Sequence, residues 1–165
     1  MRYSAIRNQI QSGDLLSWSH RGWGSLYDLQ IQAIRVVDRT EYTHVGVAWV
    51  VAGRVFVIEA VSAGVRLFPL SRLLPFYWQP AGAIWTERAE AFALSHIGDP
   101  YSKLQAVRAF FGALKIGADR TWECAELALE ILKACGVNLG HRAVPSDLVR
   151  EAQRLGMPLF YIDEE

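Results

Sequence analysis

Three residues of this chain, Cys124, His44 and Glu59, have side chains that could cooperate in acyl transfer. A cysteine thiolate is a strong nucleophile, and a neighbouring histidine can activate it and later protonate the leaving group. A carboxylate beside the histidine would fix the tautomer of the imidazole and stabilise the imidazolium. These residue types predict a cysteine hydrolase that works through a thioester, provided that the fold brings them together.

Cys124 stands at the start of a strongly helical run, which we predict over residues 122–135 with Thr121 as its N-cap. In the first turn of a helix, unpaired backbone N–H groups and the positive end of the helix dipole favour a thiolate. The same N–H groups could bind the oxyanion that forms on an acyl substrate. Because Glu123 and Glu126 oppose thiolate formation, a cationic imidazole would have to supply most of the stabilisation.

The second cysteine, Cys135, ends the same predicted helix immediately before Gly136, a residue type that suits the C′ position. A cysteine there is typical of a small buried hydrophobic residue. It follows Cys124 by eleven residues, which is about 16 Å along a helix and too far for a disulfide. We therefore expect two separate thiols.

His44 and Glu59 fall on two strands that are predicted to form a hairpin around residues 52–53. The strands are 42–50 (YTHVGVAWV) and 54–61 (RVFVIEAV). A loop of two or four residues pairs Gly46 with Glu59 and makes His44 a diagonal neighbour of Glu59 on the same face, whereas an odd-length loop places them on opposite faces. A carboxylate in so apolar a strand is costly unless a charged or hydrogen-bonding group receives it. A solvent-facing position for Glu59 is the alternative.

The remaining histidines are predicted to lie at the surface; they are His20, His96 and His141. Cysteine and histidine could instead bind a metal. However, no pair of Cys or His residues has the spacing of a metal site, such as Cys-x-x-Cys or His-x-x-x-His. We therefore predict neither a metal site nor a cofactor.

Periodicity and turn residues predict one domain over residues 1–165, with most strands preceding most helices, an order typical of an α+β fold. The predicted strands are 14–19, 42–50, 54–61, 65–68, 81–86 and 159–162. The predicted helices are 3–11, 25–37, 87–97, 102–115, 122–135 and 146–155.

Composition argues against two classes of partner. The 17 Lys and Arg residues balance 17 Asp and Glu residues, so bulk charge does not attract nucleic acid. The longest apolar region, 45–61, is interrupted by glycine and charged residues and is too short for a membrane helix. The N-terminus does not resemble a signal peptide, which favours the cytoplasm by default and leaves export by another route open. Nothing in the pattern indicates an oligomeric state.

Taken in order, the short motifs of this chain resemble the circularly permuted, papain-like branch of the NlpC-type cysteine peptidase and amidase superfamily, which includes relatives of lecithin:retinol acyltransferase. The motifs are 13–16 (GDLL), 43–47 (THVGV), 58–60 (IEA), 97–101 (IGDPY), 122–127 (WECAEL), Gly136 and 145–148 (PSDL). In that branch a Gly-Asp strand leads, a Ser/Thr-His-x-Gly strand supplies the base, and a Cys-Ser/Ala-Glu-Leu helix start supplies the nucleophile. The chain departs from it at Ala125, where many relatives have Ser, and at residues 17–41, which are longer than the expected link.

The resemblance implies a papain-like fold in which an antiparallel sheet packs against a helical half that carries the nucleophile. It makes Cys124 the nucleophile, His44 the base and Glu59 the third polar residue. It also makes Tyr101 a neighbour of the nucleophile that helps to bind the oxyanion. The implied activity is that of a cysteine peptidase or amidase on a peptide or acyl amide, with cell-wall (peptidoglycan) peptides as the first candidate.

Two alternatives stay open. Apolar residues of 67–78 (LFPLSRLLPFYW) could form an acyl-binding wall, as in a lipid amidase or acyltransferase, or could belong to the core. The six tryptophans could likewise line a groove or fill the core. The second alternative is a non-catalytic structural or binding domain, in which Cys124 would be unreactive.

Overall fold

The computed structural model of the protein describes residues 1–19, 41–101 and 123–163. In this part of the chain the strands are β1 (Leu15–Trp18), β2 (His44–Val51), β3 (Arg54–Val61), β4 (Gly64–Pro69), β5 (Phe76–Gln79) and β6 (Phe160–Ile162). The helices are α1 (Tyr3–Ile6), α2 (Glu87–Ser95), α3 (Cys124–Ala134) and α4 (Pro145–Arg154), with a 3-10 turn at Leu70–Arg72. The six strands form one sheet in the order β4-β3-β2-β1-β5-β6, and every neighbouring pair is antiparallel.

The sheet separates two hydrophobic cores, because successive residues of a strand point to opposite faces. On one face, strand residues such as Leu15 and Ile58 pack against buried apolar residues of α2, α3 and α4; we call this the helical core. On the other face, Leu16 and Val57 pack with residues of α1 and the 3-10 turn; we call this the opposite core. Helix α3, which begins at Cys124, therefore lies on the helical-core face.

The β2–β3 hairpin turns through two residues, Ala52 and Gly53, whose φ angles are 48° and 70°. Two successive positive φ values are those of a type I′ turn, which matches the twist of the strands that it joins. The register runs from Val51 opposite Arg54 to Val47 opposite Ile58. The loop therefore has the even length that the sequence argument requires.

Asp14 explains the Gly-Asp motif at the start of β1. Its buried carboxylate accepts hydrogen bonds from the backbone N–H of Gln11 at 2.9 Å, the indole N–H of Trp78 at 2.8 Å and the backbone N–H of Ala81 at 3.1 Å. Gly13 has a φ of 93°, and a Cβ there would lie 2.5 Å from the Cβ of Ala83. The motif therefore ties the start of β1 to the segment that leaves β5.

The predicted strand at 81–86 is wrong. The backbone N–H of Ala81 donates to Asp14, and that of Ile84 donates to the carbonyl of Cys135 at 3.1 Å, so neither joins a sheet ladder. Gly82, with a φ of 59°, also breaks an extended conformation. The sheet instead takes up β5, in a segment that the sequence analysis treats as irregular. The predicted helices 25–37 and 102–115, and the predicted N-cap Thr121, lie outside the described residues.

The expected papain-like, circularly permuted NlpC-type α+β fold is also wrong. The described residues form mostly an antiparallel six-stranded sheet accompanied by a few helices. Short motifs specify where a strand or helix begins, but they do not specify the order in which strands join a sheet. Here β5 and β6 complete one edge of the sheet, and no motif of the resemblance marks either strand.

Within residues 1–19, 41–101 and 123–163, no helix combines the length and the apolar character needed to cross a membrane.

Candidate active site

His44 is the first residue of β2, and the β2–β3 register places it near Glu59. Continuing the ladder one step beyond the Val47–Ile58 pair brings Gly46 opposite Glu59. His44 lies two residues before Gly46, at the start of β2. The imidazole Nε2 of His44 lies 2.5 Å from Oε2 of Glu59. The diagonal contact that the hairpin predicts is therefore present.

Gly46 leaves room for the two side chains that meet over it. A Cβ at this position would lie 2.5 Å from Cγ2 of Val57, 3.0 Å from the carbonyl oxygen of Ile58 and 3.3 Å from Cβ of Glu59. The first of these distances is shorter than any ordinary contact, so a larger residue would push on β3 beneath the carboxylate. The glycine of the Thr-His-Val-Gly motif is thus explained by packing.

Glu59 is buried, with 2% of its side chain exposed, and each carboxylate oxygen has a partner. Oε2 contacts His44, while Oε1 accepts from Nε of Arg66 at 2.8 Å and lies 2.6 Å from a terminal guanidinium nitrogen of Arg66. Burial raises the pKa of Glu59, but the hydrogen bonds and charges of His44 and Arg66 outweigh it and lower the pKa below its usual value. The carboxylate is therefore ionised at neutral pH.

Arg66 is a residue of the site that the sequence did not predict. It lies directly opposite Glu59 in the β3–β4 ladder, and its guanidinium carbon stands 4.4 Å from the ring centroid of Phe68 on the same strand. The signal that could have found it is the same register argument, extended by one hairpin from a carboxylate that needs a charged partner.

Cys124 is the first residue of α3 and is half-buried. The residue before it, Glu123, has an extended backbone with φ −97° and ψ 155° and occupies the N-cap position. The first N–H groups of a helix have no intrahelical partner, so Cys124 stands beside free backbone donors. The side chain of Cys124 interacts with His44 and raises the pKa of the imidazole.

The electrostatics of His44 reflect both partners. Burial lowers the pKa of His44, but hydrogen bonds and charge interactions with Cys124 and Glu59 outweigh burial and raise the pKa to about 10. An ordinary histidine titrates near 6.5. The ring is therefore held as an imidazolium at neutral pH, between a carboxylate on one side and a thiol on the other.

Trp18 is a second neighbour of His44 that sequence reasoning misses. The two residues are paired across β1 and β2, and their ring centroids lie 5.4 Å apart. The indole N–H of Trp18 donates to the carbonyl of Leu73 at 2.8 Å, which fixes the indole beside the imidazole. Because residues 19–43 separate β1 from β2 in the sequence, no short turn indicates this pairing.

Ser146 anchors the chain just ahead of His44 and explains the Pro-Ser-Asp-Leu motif. Its buried hydroxyl accepts from the backbone N–H of Tyr42 at 3.1 Å and donates to the carbonyl of Tyr42 at 3.2 Å. Pro145 occupies the first turn of α4, where its missing N–H is tolerated. The motif thus holds the entry to β2 against α4.

The other candidate residues lie elsewhere or stay untested. Tyr101 is half-buried and packs against the helical core, as Cys124 does; its role in binding an oxyanion stays a prediction. Cys135 is buried, and burial raises the pKa of its thiol to about 11. His96 is half-buried and its Nδ1 lies 2.7 Å from Oδ2 of Asp99. His141 is exposed, and His20 falls outside the described residues.

In the described ranges no group of three or more His, Cys, Asp and Glu side chains is arranged to hold a metal ion. The acceptor atoms of the site are already engaged, because each carboxylate oxygen of Glu59 faces a nitrogen of His44 or Arg66.

Comparison with known proteins identifies a structural relative. The chain matches no known protein family and no curated protein. It is similar to the crystal structure of metalloprotein yiiX from Escherichia coli O157:H7, which carries the designation DUF1105. The TM-score is 0.59 at 22% sequence identity, over 81% of this chain and 71% of that one. At this identity the likeness shows a shared fold, and it replaces the papain-like fold expected from the motifs.

Proposed function

We propose that this protein is a cysteine hydrolase that cleaves an amide or ester through a thioester, with Cys124 as nucleophile, His44 as general acid and base, and Glu59 as the group that orients His44. The observation that carries the proposal is the contact of the His44 imidazole with the buried carboxylate of Glu59, together with the interaction by which Cys124 raises the pKa of that imidazole. A thiol, an imidazole and an orienting group in series are the parts that nucleophilic catalysis requires.

The first half of the reaction uses the proton that His44 holds. The Cys124 thiolate attacks the carbonyl carbon of the substrate, and the carbonyl electron pair moves to oxygen. Backbone N–H groups at the start of α3 are the donors for that oxyanion. His44, which holds a proton at neutral pH, gives it to the leaving amine or alcohol as the carbon–nitrogen or carbon–oxygen bond breaks. The product of this step is a thioester on Cys124.

The second half needs His44 as a base, and acylation itself supplies that change. Once Cys124 is a thioester, its interactions no longer raise the pKa of His44, so only those with Glu59 oppose the burial that lowers it. The ring then accepts a proton from water, which attacks the thioester and releases the acid. Glu59 keeps the ring in place in both halves.

We further propose a peptide substrate, with peptidoglycan peptides as the first candidate by resemblance of the motifs. The stretch that suggests the lipid alternative, 67–78, lies partly in the core. Leu70 and Phe76 are fully buried and Trp78 nearly so, all in the opposite core, whereas the other leucine and aromatic residues of the stretch are half-buried.

The test is a digestion of purified peptidoglycan by the protein, with mass spectrometry of the soluble products. We expect paired new amine and carboxyl ends with the wild type and at least a thousandfold fewer with Cys124→Ala, on the order seen when a catalytic nucleophile is removed. Cys135→Ala, purified in parallel, is the matched control and should remain active. Equal release by the wild type and Cys124→Ala would mean that Cys124 is not the nucleophile.

Glu59→Gln tests the orienting role. The amide keeps the shape of the carboxylate and loses its charge, so turnover should fall by roughly tenfold to a hundredfold, less than on loss of the nucleophile. Steady-state rates on the same peptide substrate measure this. A Glu59→Gln variant as inactive as Cys124→Ala would assign Glu59 a more direct part in the chemistry.

A further inference from the structure

Glu59 and His44 alone would not form a rigid pair. A glutamate side chain has several rotatable bonds. A carboxylate with a partner on one oxygen only can rotate about its terminal bond and present either oxygen to the ring. Here the second oxygen, Oε1, accepts a hydrogen bond from Nε of Arg66 at 2.8 Å and lies 2.6 Å from a terminal guanidinium nitrogen of the same residue. With both oxygens engaged, the carboxylate presents Oε2 to His44 in one orientation.

From this geometry we infer that Arg66 is a positioning residue of the catalytic site, which acts on His44 and Cys124 only through Glu59. The inference rests on the proposed function. It adds a fourth member to the chain of contacts: guanidinium, carboxylate, imidazole and thiol, drawn in turn from β4, β3, β2 and the head of α3.

The charge of Arg66 matters as much as its shape. Glu59 has only 2% of its side chain exposed, and burial favours the neutral acid. The charge of an arginine does not depend on that of His44, so the contribution of Arg66 to the lowered pKa of Glu59 persists when His44 gives up its proton. This is useful in a cycle in which His44 gives up its proton, because the carboxylate then loses one of its two cationic partners.

The arginine is itself held in place. It is paired with Glu59 across β3 and β4, and its guanidinium packs over Phe68, two residues along the same strand. A fork of fixed donors above an aromatic ring loses less freedom on binding than a flexible ammonium would. With 40% of its side chain exposed, Arg66 reaches Glu59 from the solvent side without being buried itself.

Two readouts that need no substrate can test this role: the NMR titration of His44 and the rate at which iodoacetamide alkylates Cys124. In Arg66→Gln we expect the His44 midpoint to fall by about one pH unit and alkylation at pH 7 to slow several-fold. Arg66→Lys, which keeps the charge and loses the fork, should lie between Arg66→Gln and the wild type. Arg150→Gln is the matched control, since it removes a surface arginine whose ion pair with Asp147 lies on α4.

A double-mutant cycle separates positioning from a merely structural effect. If Arg66 acts through Glu59, then adding Arg66→Gln to Glu59→Gln should change neither the His44 midpoint nor the alkylation rate further. An equal loss in both backgrounds would overturn the inference, as would unchanged readouts in Arg66→Gln. These readings also remain distinct from failure of the proposed function, which would appear as an unreactive Cys124 in the wild-type protein.

Discussion

The head and the tail of helix α3 carry the two cysteines of this chain in opposite environments. Cys124 is the first helical residue and half-buried, and it raises the pKa of His44. Cys135 is the C-cap residue, 2% exposed in the helical core, with a pKa raised to about 11 by burial. One residue type on one helix thus gives a candidate nucleophile at one end and an inert core residue at the other. Position relative to the helix end and to an imidazole makes the difference.

The largest effect on the rate of hydrolysis should come from removing His44, the residue that Cys124 has beside it and Cys135 lacks. His44→Ala deprives Cys124 of its acid and base, a role worth roughly a hundredfold to ten-thousandfold in rate. We expect hydrolysis of the peptide substrate to fall by that factor, measured as release of new amine ends. Cys135→Ala should leave the rate close to that of the wild type, and a similar loss in both variants would erase the contrast.

The pKa of His44 gives a second measure of the difference between the two cysteines, because it should depend on Cys124 and not on Cys135. Because the pKa of His44 is raised to about 10, the ring keeps its proton as the pH rises past 6.5 and loses it only near the higher value. In Cys124→Ala two of the interactions that raise the pKa are gone, so the midpoint should fall by at least about one pH unit.

NMR of the imidazole ring protons measures this midpoint. Cys135→Ala, which changes the tail of the helix and leaves the head intact, should keep the wild-type value. The same midpoint in Cys124→Ala and in the wild type would mean that the thiol and the ring do not interact.

Gly46→Ala should strain the β2–β3 hairpin that holds His44 and Glu59, and should leave the surroundings of Cys135 unchanged. The added Cβ would overlap Cγ2 of Val57, which lies 2.5 Å from its position, and such overpacking costs about 1–3 kcal/mol. Urea unfolding measures the cost. The same substitution made in a Val57→Ala background should cost less, because the overlapping methyl group is absent. Equal costs in the two backgrounds would place the strain elsewhere.

The smallest effect is on stability, and here the substitution at Cys135 should cost more than the one at Cys124, the reverse of their effects on activity. Cys135→Ser places a hydroxyl in the helical core and should lower the free energy of unfolding by about 1–2 kcal/mol. Cys124→Ser, at a half-buried helix start where a hydroxyl can bond to His44 or to water, should change it by less than about 0.5 kcal/mol. Urea midpoints at unchanged m-values measure both. A larger loss for Cys124→Ser would mean that the head is a core site as well.

The part of the site that the sequence predicts is the part governed by local rules. The two-residue turn at Ala52-Gly53 sets the register by counting, so the contact of His44 with Glu59 follows from the hairpin. Arg66 was not predicted, although the same counting carried into the next hairpin would have found it, since Val61 faces Gly64 and Glu59 faces Arg66 there.

Non-local pairing is where sequence reasoning fails. Trp18 meets His44 across strands that are separated by more than twenty residues, and no turn specifies that register. The strand predicted at 81–86 satisfies the local pattern, but Asp14 captures the Ala81 N–H. The order of strands in the sheet also depends on tertiary pairing, which is why motifs in a familiar order led to the wrong fold class.

The most direct test of the account is a competition between the two thiols of the folded wild-type protein for iodoacetamide, with each site quantified by mass spectrometry of peptides. An ordinary thiol is only about 3% ionised at pH 7, and a buried one less. The account predicts that Cys124 is alkylated at least about thirtyfold faster than Cys135 at pH 7, and that His44→Ala removes most of this advantage. Alkylation of both cysteines at one slow rate, reached only when the protein unfolds, would contradict it.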